Sequence, residues 1–263
     1  AVMAYLHSLA PLAPLHQPHN LAAVDILRRR QPDLPQYGCF DTAFHARHDP
    51  LFHEFALPQS IRDKGVKRYG FHGLSYDWIA HCLRSDYPHL ASGRVVAAHL
   101  GNGASLCAMK NCRSIDTTMG MTALDGLPMG TRCGALDAGA VLYMIRALGL
   151  SPEEAENLLY NESGLKGLSC LSNDVKALSE STDKKAAFAL EYFALKTAQY
   201  IAAMATSLGG MDALIFAGGI GENAENVRAM ILEHLSFLPP FEHHIIPANE
   251  ERGMALEIWE NFR

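Results

Sequence analysis

The sequence has few cysteines, little net charge and no long hydrophobic run, and each shortage excludes a class of protein. Six cysteines among 263 residues form no CxxC pair, so we expect reduced thiols and a cytoplasmic location rather than a disulfide-stabilised domain. No apolar stretch is long enough to span a bilayer, and the first residues lack a basic-then-apolar signal pattern. The thirteen histidines contain no HxH or HExxH spacing, which argues against a zinc site.

The charge and the hydrophobic content limit the partners and the size of the core. A formal net charge of -6 argues against a nucleic acid or an anionic membrane as the natural partner. An acidic chain can still bind a nucleotide through a few local donors. A hydrophobic content of 49% is enough for the core of one large or two small domains.

The stretch 95–134 carries the strongest local signals. A β-branched run at 95–100, a Gly-Asn-Gly segment at 101–103 and a second apolar run at 104–109 predict a β-hairpin. A bare glycine tip allows backbone N–H groups to approach a phosphate closely, although a purely structural hairpin shows the same pattern. The segment 119–134 contains four glycines, one proline and a single cation, Arg132. This composition suits a loop that holds a guanidinium near an anion.

Two further segments show patterns that favour a ligand site. The apolar segment 37–44 predicts a buried strand, and because Asp41 interrupts it, that carboxylate should lie at the strand end facing a cation or hydrogen-bond donors. A strand at 213–216, a glycine turn at 218–223 and a helix at 224–235 form an arrangement that often binds a nucleotide, since helix N-termini favour anions. The glycine turn matches neither GxGxxG nor a Walker sequence, so alone it is a weak signal.

Three motifs together resemble the acetate kinase family of short-chain acyl kinases. They are RYGFHG at 68–73, HLGNGAS at 99–105 and DTTMGMTALDGLPMGTRCG at 116–134, and the similarity runs from about Leu9 to Glu251. The resemblance implies an α/β fold of the actin, Hsp70 and sugar-kinase type, with two similar domains on either side of an active-site cleft. On that template, residues 1–45 are expected to be the tail of an N-terminal acyl-binding domain whose start is missing. Residues 46–250 are expected to form a C-terminal nucleotide-binding domain, and residues 251–263 a segment that returns towards the first domain.

The resemblance also implies a reaction and its partners. The family phosphorylates acetate or propionate with ATP, reversibly and by direct in-line transfer, which implies ATP/ADP and Mg²⁺ as cofactors and a homodimer. The carboxylate acceptor is already ionised at neutral pH, so the chemistry needs cations and positioning rather than a general base. The alternative is a nucleotide-binding fragment of such a kinase without turnover, because the family's N-terminal phosphate turn and a second active-site arginine are absent.

The site residues follow from the motif matches, position by position. The implied catalytic residues are Asp41, His72 and Arg132, and the implied Mg²⁺ ligands, direct or through water, are Asp41 and Glu250. The implied acyl pocket comprises Leu15, His16, Phe71 and Ala123. The implied nucleotide and phosphate site comprises His99, Asn102, Gly103, Asp174, Val175, Lys176, Gly219, Ile220, Gly221 and Asn223.

Several matched positions depart from the family's pattern, among them four near the predicted site residues. Ala123 stands where the family has proline, so the acyl pocket should gain room for about one methylene, which predicts comparatively good use of propionate with acetate still accepted. Lys176 stands where the family has an arginine, and it loses the planar face that stacks on a base. Leu74 and Tyr76 replace a threonine and a histidine, so the hydrogen bonds around His72 should differ.

Overall fold

The computed structural model describes residues 2–8 and 17–261, and these form two compact units that divide between Cys39 and Phe40. The first unit contains helix α1 (Val2–Ser8) and helix α2 (Gln17–Arg30). The predicted functional roles of the ranges 1–45, 46–250 and 251–263 remain predictions.

The second unit is built on a five-stranded mixed sheet in the order β3-β2-β1-β4-β5. The strands are β1 (Arg94–Leu100), β2 (Ala104–Lys110), β3 (Arg113–Thr117), β4 (Ala213–Ala217) and β5 (Glu242–Ile245). The first three form an antiparallel meander, whereas β4 runs parallel to β1 and β5 runs parallel to β4. The predicted hairpin and the predicted strand at 213–216 are therefore confirmed.

Helices cover both faces of this sheet. Within the described residues they are α3 (Pro50–His53), α4 (Gln59–Arg62), α5 (Gly73–Ser85), α6 (Ala138–Arg146), α7 (Pro152–Asn161), α8 (Gly164–Ser169), α9 (Val175–Glu180), α10 (Lys184–Leu208), α11 (Gly218–Asn223), α12 (Glu225–His234) and α13 (Glu250–Asn261). None of the helices in these parts of the chain is both long and apolar enough to cross a bilayer.

The alternation of side chains along β1 and β2 gives the sheet two apolar faces. Val96, Ala98 and Leu100 pack in one core with α10, while Val95 and Ala97 pack in a second core with α5. A period of two residues is the signature of a strand buried on both sides. The sheet is therefore a rigid central layer that fixes the loops at its ends.

The parallel pairing of β1 with β4 brings two glycine-rich segments to the same edge of the sheet. His99 near the end of β1 pairs with Ala217 at the end of β4, and α11 begins directly after it. Gly218 has a φ of +76°, and a Cβ there would lie 2.8 Å from the Leu100 carbonyl oxygen, so only glycine allows this approach. The segment predicted as a turn at 218–223 forms the short helix α11, beside the tip of the β1–β2 hairpin.

The predicted strand at 37–44 is wrong. The segment 35–40 has no regular secondary structure, and a short 3₁₀ helix (Ala43–His45) follows a turn at Asp41. The Phe40 carbonyl accepts a hydrogen bond from the backbone N–H of Ala43, which is a local turn bond rather than a ladder bond. The Phe40 side chain is half exposed, so the apolar run does not mark a core strand here.

Candidate active site

Asp41 holds the turn that presents His72. The backbone N–H of His72 donates to Asp41 Oδ2 at 2.8 Å, and the N–H of Gly73 donates to the Asp41 carbonyl oxygen at 2.9 Å. His72 itself adopts the left-handed conformation, with a φ of 56°, which is rare for a residue other than glycine. A Cβ at Gly73 would lie 2.1 Å from the Asp41 carbonyl oxygen, so this position requires glycine. The carboxylate is thus satisfied by backbone donors, as its interruption of an apolar segment requires.

The imidazole of His72 is enclosed by polar groups. Its ring stacks on the ring of His99 with 4.4 Å between centroids, and its Nδ1 lies 2.8 Å from Ser105 Oγ. Burial, followed by the proximity of His99 and Arg132, holds the pKa of His72 well below its usual value. His72 is therefore neutral at physiological pH.

Two nitrogen atoms converge on the bare tip of the hairpin. A Cβ built at Gly103 would lie 3.2 Å from His72 Nε2 and 3.7 Å from Arg132 Nη1. The absence of a side chain at Gly103 therefore leaves a space flanked by the imidazole and the guanidinium. An anionic group of the size of a phosphoryl oxygen fits the chemistry of that space.

The guanidinium of Arg132 is anchored without a carboxylate partner. Its Nη1 donates to the Ala123 carbonyl oxygen at 3.1 Å. The backbone just before Arg132 is also held in place, because the carbonyl groups of 129–131 accept hydrogen bonds from backbone N–H groups of 163–166 at the start of α8. Arg132 forms no salt bridge within the described residues. Burial lowers the pKa of the Arg132 guanidinium from its usual value. A partly buried cation that lacks an internal counter-charge is suited to bind an anionic ligand.

A pocket of about 620 Å³ lies at the hairpin tip, next to the start of α9 and to α11. Its volume is in the range of small-molecule sites, roughly 300–1,000 Å³. Seven of the residues predicted to bind nucleotide or phosphate line it together: Asn102, Asp174, Val175, Lys176, Gly219, Ile220 and Asn223. The other three lie elsewhere, since His99 and Gly103 face the His72 side of the hairpin and Gly221 lies on the buried side of α11, against Phe216.

Two features of the pocket wall were not predicted. Asn173 donates through Nδ2 to Asn102 Oδ1 at 3.0 Å, which ties the hairpin tip to the start of α9. Asp174 caps that helix, because its Oδ1 accepts from the backbone N–H of Lys176 at 2.9 Å. The Asp174 carboxylate thus has a structural role beside any contact with a ligand.

Glu250 and Asp41 are the two predicted Mg²⁺ ligands, and the charge of Asp41 acts on the Glu250 carboxyl group. Burial raises the pKa of Glu250, and the charges of Asp41 and then Glu251 raise it further. Within the described residues, no three His, Cys, Asp or Glu side chains form a group that could hold a metal ion. Two carboxylates do fit Mg²⁺, which commonly takes one or two from the protein and completes its shell with water and substrate phosphates.

The predicted acyl-pocket residues are only partly covered by the described chain. Phe71 and Ala123 both pack, partly buried, against the apolar core on the α10 side of the sheet. Leu15 and His16 lie outside the described residues.

Ser105 and Tyr76 are two polar residues of the site to which the motif matches assigned no functional role. Both are fully buried, and they form hydrogen bonds with each other beside His72. Their positions offered a signal, because Ser105 closes the HLGNGAS stretch and Tyr76 follows His72 by four residues, about one helical turn.

The acetokinase family model matches residues 1–247 of this chain. The chain belongs to the acetokinase family. The acetate kinase of Methylocella silvestris is 51% identical over 237 residues, which cover 90% of this chain and 59% of that protein. The chain thus spans about 60% of the length of the curated relatives it matches.

Solved structures of acetokinase-family members share the fold. The acetate kinase of Porphyromonas gingivalis matches with a TM-score of 0.91 at 32% identity, over 100% of this chain and 73% of that one. A propionate kinase of Francisella tularensis matches with a TM-score of 0.91 at 34% identity, over 97% of this chain and 72% of that one. The predicted family and its α/β fold are confirmed, whereas the roles of the individual site residues remain predictions.

Proposed function

We propose that the protein transfers a phosphoryl group between ATP and a short-chain carboxylate, acetate or propionate, reversibly and by direct in-line displacement, to form an acyl phosphate. The observation that carries this proposal is the position of the β1–β2 hairpin tip. Gly101 and Asn102 line the pocket, while Gly103 faces His72 and Arg132. A nucleotide in the pocket would extend its phosphates over the tip towards these two side chains.

The residues around the tip address the main obstacle, the repulsion between two anions. Arg132 supplies a permanent positive charge, and neutral His72 supplies a hydrogen bond, both beside the space above Gly103. Asp41 and Glu250 would hold Mg²⁺ directly or through water. When bound, Mg²⁺ would neutralise charge on the nucleotide phosphates. Phe71 and Ala123, together with Leu15 and His16, are proposed to contact the acyl chain.

A homodimer is proposed as the assembly. Helix α6 has an apolar sequence, yet it buries no residue within the described chain, and Leu142 and Tyr143 are 48% and 60% exposed. Exposed apolar surface of this kind typically marks an interface.

The proposed reaction is tested with one variant that fills the space above the hairpin tip and one that removes the guanidinium. In a preparation with kinase activity on ATP and acetate, Arg132→Ala should lower kcat by ~10²-fold or more, as the loss of one transition-state donor does. Gly103→Ala should lower kcat to a similar extent, because its Cβ would lie 3.2 Å from His72 Nε2 and would fill the space. Acyl phosphate is measured by the hydroxamate assay, and ATP binding by calorimetry. Gly253→Ala is the matched control, because its Cβ would make only ordinary contacts with Trp78, 3.5 Å away or more. Near-wild-type kcat in both site variants would refute the assignment.

The competing hypothesis is a nucleotide-binding fragment of such a kinase without turnover. The same two measurements, made on the 263 residues at verified mass, separate the hypotheses. Binding of ATP·Mg with background acyl phosphate formation supports the fragment, and robust turnover excludes it.

A further inference from the structure

A buried chain of hydrogen-bonding groups lies behind His72. Ser105 Oγ is 2.8 Å from His72 Nδ1, and the Tyr76 hydroxyl is hydrogen-bonded to the same Oγ. Ser105 and Tyr76 are both 0% exposed, so water cannot replace either partner. The proposed function gives neither residue a role.

The direction of these hydrogen bonds follows from counting protons. Each hydroxyl has one proton, and within the described residues Ser105 is the only side-chain partner of the Tyr76 hydroxyl. A buried hydroxyl proton without an acceptor is costly. Tyr76 therefore donates to Ser105, and Ser105 donates to His72.

The imidazole then has its single proton on the other nitrogen. If Nδ1 accepts from Ser105, neutral His72 must carry its proton on Nε2, the atom that lies beside Gly103 and Arg132. The opposite tautomer would place three protons on these two hydrogen bonds and leave one hydroxyl proton, that of Ser105 or of Tyr76, without an acceptor. It would also turn a lone pair of Nε2, rather than an N–H donor, towards an anion above the hairpin tip.

We propose that Ser105 is a positioning residue, held in its donor role by Tyr76, which keeps His72 in the Nε2–H form so that it can donate a hydrogen bond to the transferring phosphoryl group. The identity of the acceptor rests on the proposed function, whereas the tautomer does not. The first test of the proposal therefore measures the tautomer of His72 and needs no kinase activity.

That test is a long-range ¹H–¹⁵N spectrum of the protein labelled in histidine, which reports the protonated nitrogen and whether the other one accepts a hydrogen bond. Wild-type His72 should show Nε2–H and a hydrogen-bonded Nδ1. Ser105→Ala should abolish the acceptor signature and lower the ratio of Nε2–H to Nδ1–H forms by about fivefold, the equivalent of one hydrogen bond. Ser105→Thr, which retains the hydroxyl, should preserve the spectrum. A wild-type Nδ1–H form, or an unchanged Nδ1 signal in Ser105→Ala, would overturn the proposal.

The second test is kinetic. Ser105→Ala should lower kcat by ~10- to 100-fold, the effect of removing an outer partner of a site histidine, with KM for ATP within about twofold. Tyr76→Phe should lower kcat less, and Ser105→Thr should restore it. Tyr87→Phe is the control for loss of a phenol, because Tyr87 packs against His244 away from the site. Equal losses in the Ala and Thr variants would contradict the proposal. The predicted spectrum in a protein without kinase activity would refute the proposed function alone.

Discussion

At the scale of single residues, Ala123 links the proposed acyl pocket to the guanidinium. Its carbonyl oxygen accepts the hydrogen bond of Arg132 Nη1, while its side chain packs beside the same core as Phe71. In the proposed acyl pocket the small side chain would leave space for the acyl chain, and the backbone of the same residue anchors the cation. A substitution there can change specificity without removing the anchor, because every residue type keeps the carbonyl.

Ala123→Pro should lower the propionate-to-acetate ratio of kcat/KM. Proline refills the space of about one methylene, which is worth roughly 10-fold at the low end of such discriminations. Among the described hydrogen bonds the N–H of Ala123 donates none, so proline removes no backbone bond. The ratio is measured with acetate and propionate in a preparation that has kinase activity. The kcat for acetate is the control, because it shows whether the contact that anchors Arg132 is intact. A ratio that stays constant or rises would remove Ala123 as a specificity determinant.

At the scale of elements, α6 differs from α10 in how much of its apolar surface is covered. Helix α10 buries eleven of its residues against the sheet and its neighbours, whereas α6 buries none and contacts α7. A sequence with an apolar face is stabilised as a helix mainly when that face is covered. The proposed homodimer would supply the cover.

Tyr143→Glu should convert the protein to a monomer. A charge in the centre of an apolar interface is desolvated without a partner, which costs several kcal/mol in affinity, about 2–5 for an unpaired buried charge. Mass in solution is measured by light scattering after size exclusion. Phe237→Glu is the control, because Phe237 is also exposed, 72%, but lies beyond α12. A wild-type monomer, or a Tyr143→Glu dimer, would contradict this interface.

At the scale of the whole molecule, a buried histidine pair connects the segment before α5 to the sheet. His45 Nδ1 and His48 Nε2 both contact Ser114 Oγ on β3, at 2.8 and 2.6 Å. Burial lowers the pKa of His45 and of His48 to about 4 each. Because the unfolded chain has the ordinary value of 6.5, the stabilisation is complete above that pH and is lost as pH falls towards 4.

The free energy of unfolding should therefore fall between pH 6.5 and 5, a window in which most carboxylates stay ionised. Each of the two histidines contributes a loss of up to about 2 kcal/mol over that range. Urea unfolding at several pH values measures the slope. His48→Gln keeps an N–H donor for Ser114 but removes one titrating group, so its slope should be shallower. Equal slopes for the wild type and His48→Gln would show that His48 is not one of the groups responsible.

The sequence by itself determined the features that depend on local pattern. The hairpin with its glycine tip and the strand at 213–216 follow from periodicity and turn residues, and the family follows from motifs in order. These signals are local because propensity, capping and side-chain period act over a few residues. The apolar segment 37–44 shows the limit of such patterns, since a strand forms only where a neighbouring strand accepts its hydrogen bonds.

Only the tertiary structure decided which distant groups meet. Ser105 reaches His72 across 33 positions, and its proton direction depends on Tyr76 having no other side-chain partner among the described residues. The hydrogen bond from Asn173 to Asn102 likewise joins the start of α9 to the tip of the hairpin. No sequence spacing encodes these contacts, because each joins residues far apart in the chain, 33 positions for His72 and Ser105 and 71 for Asn102 and Asn173.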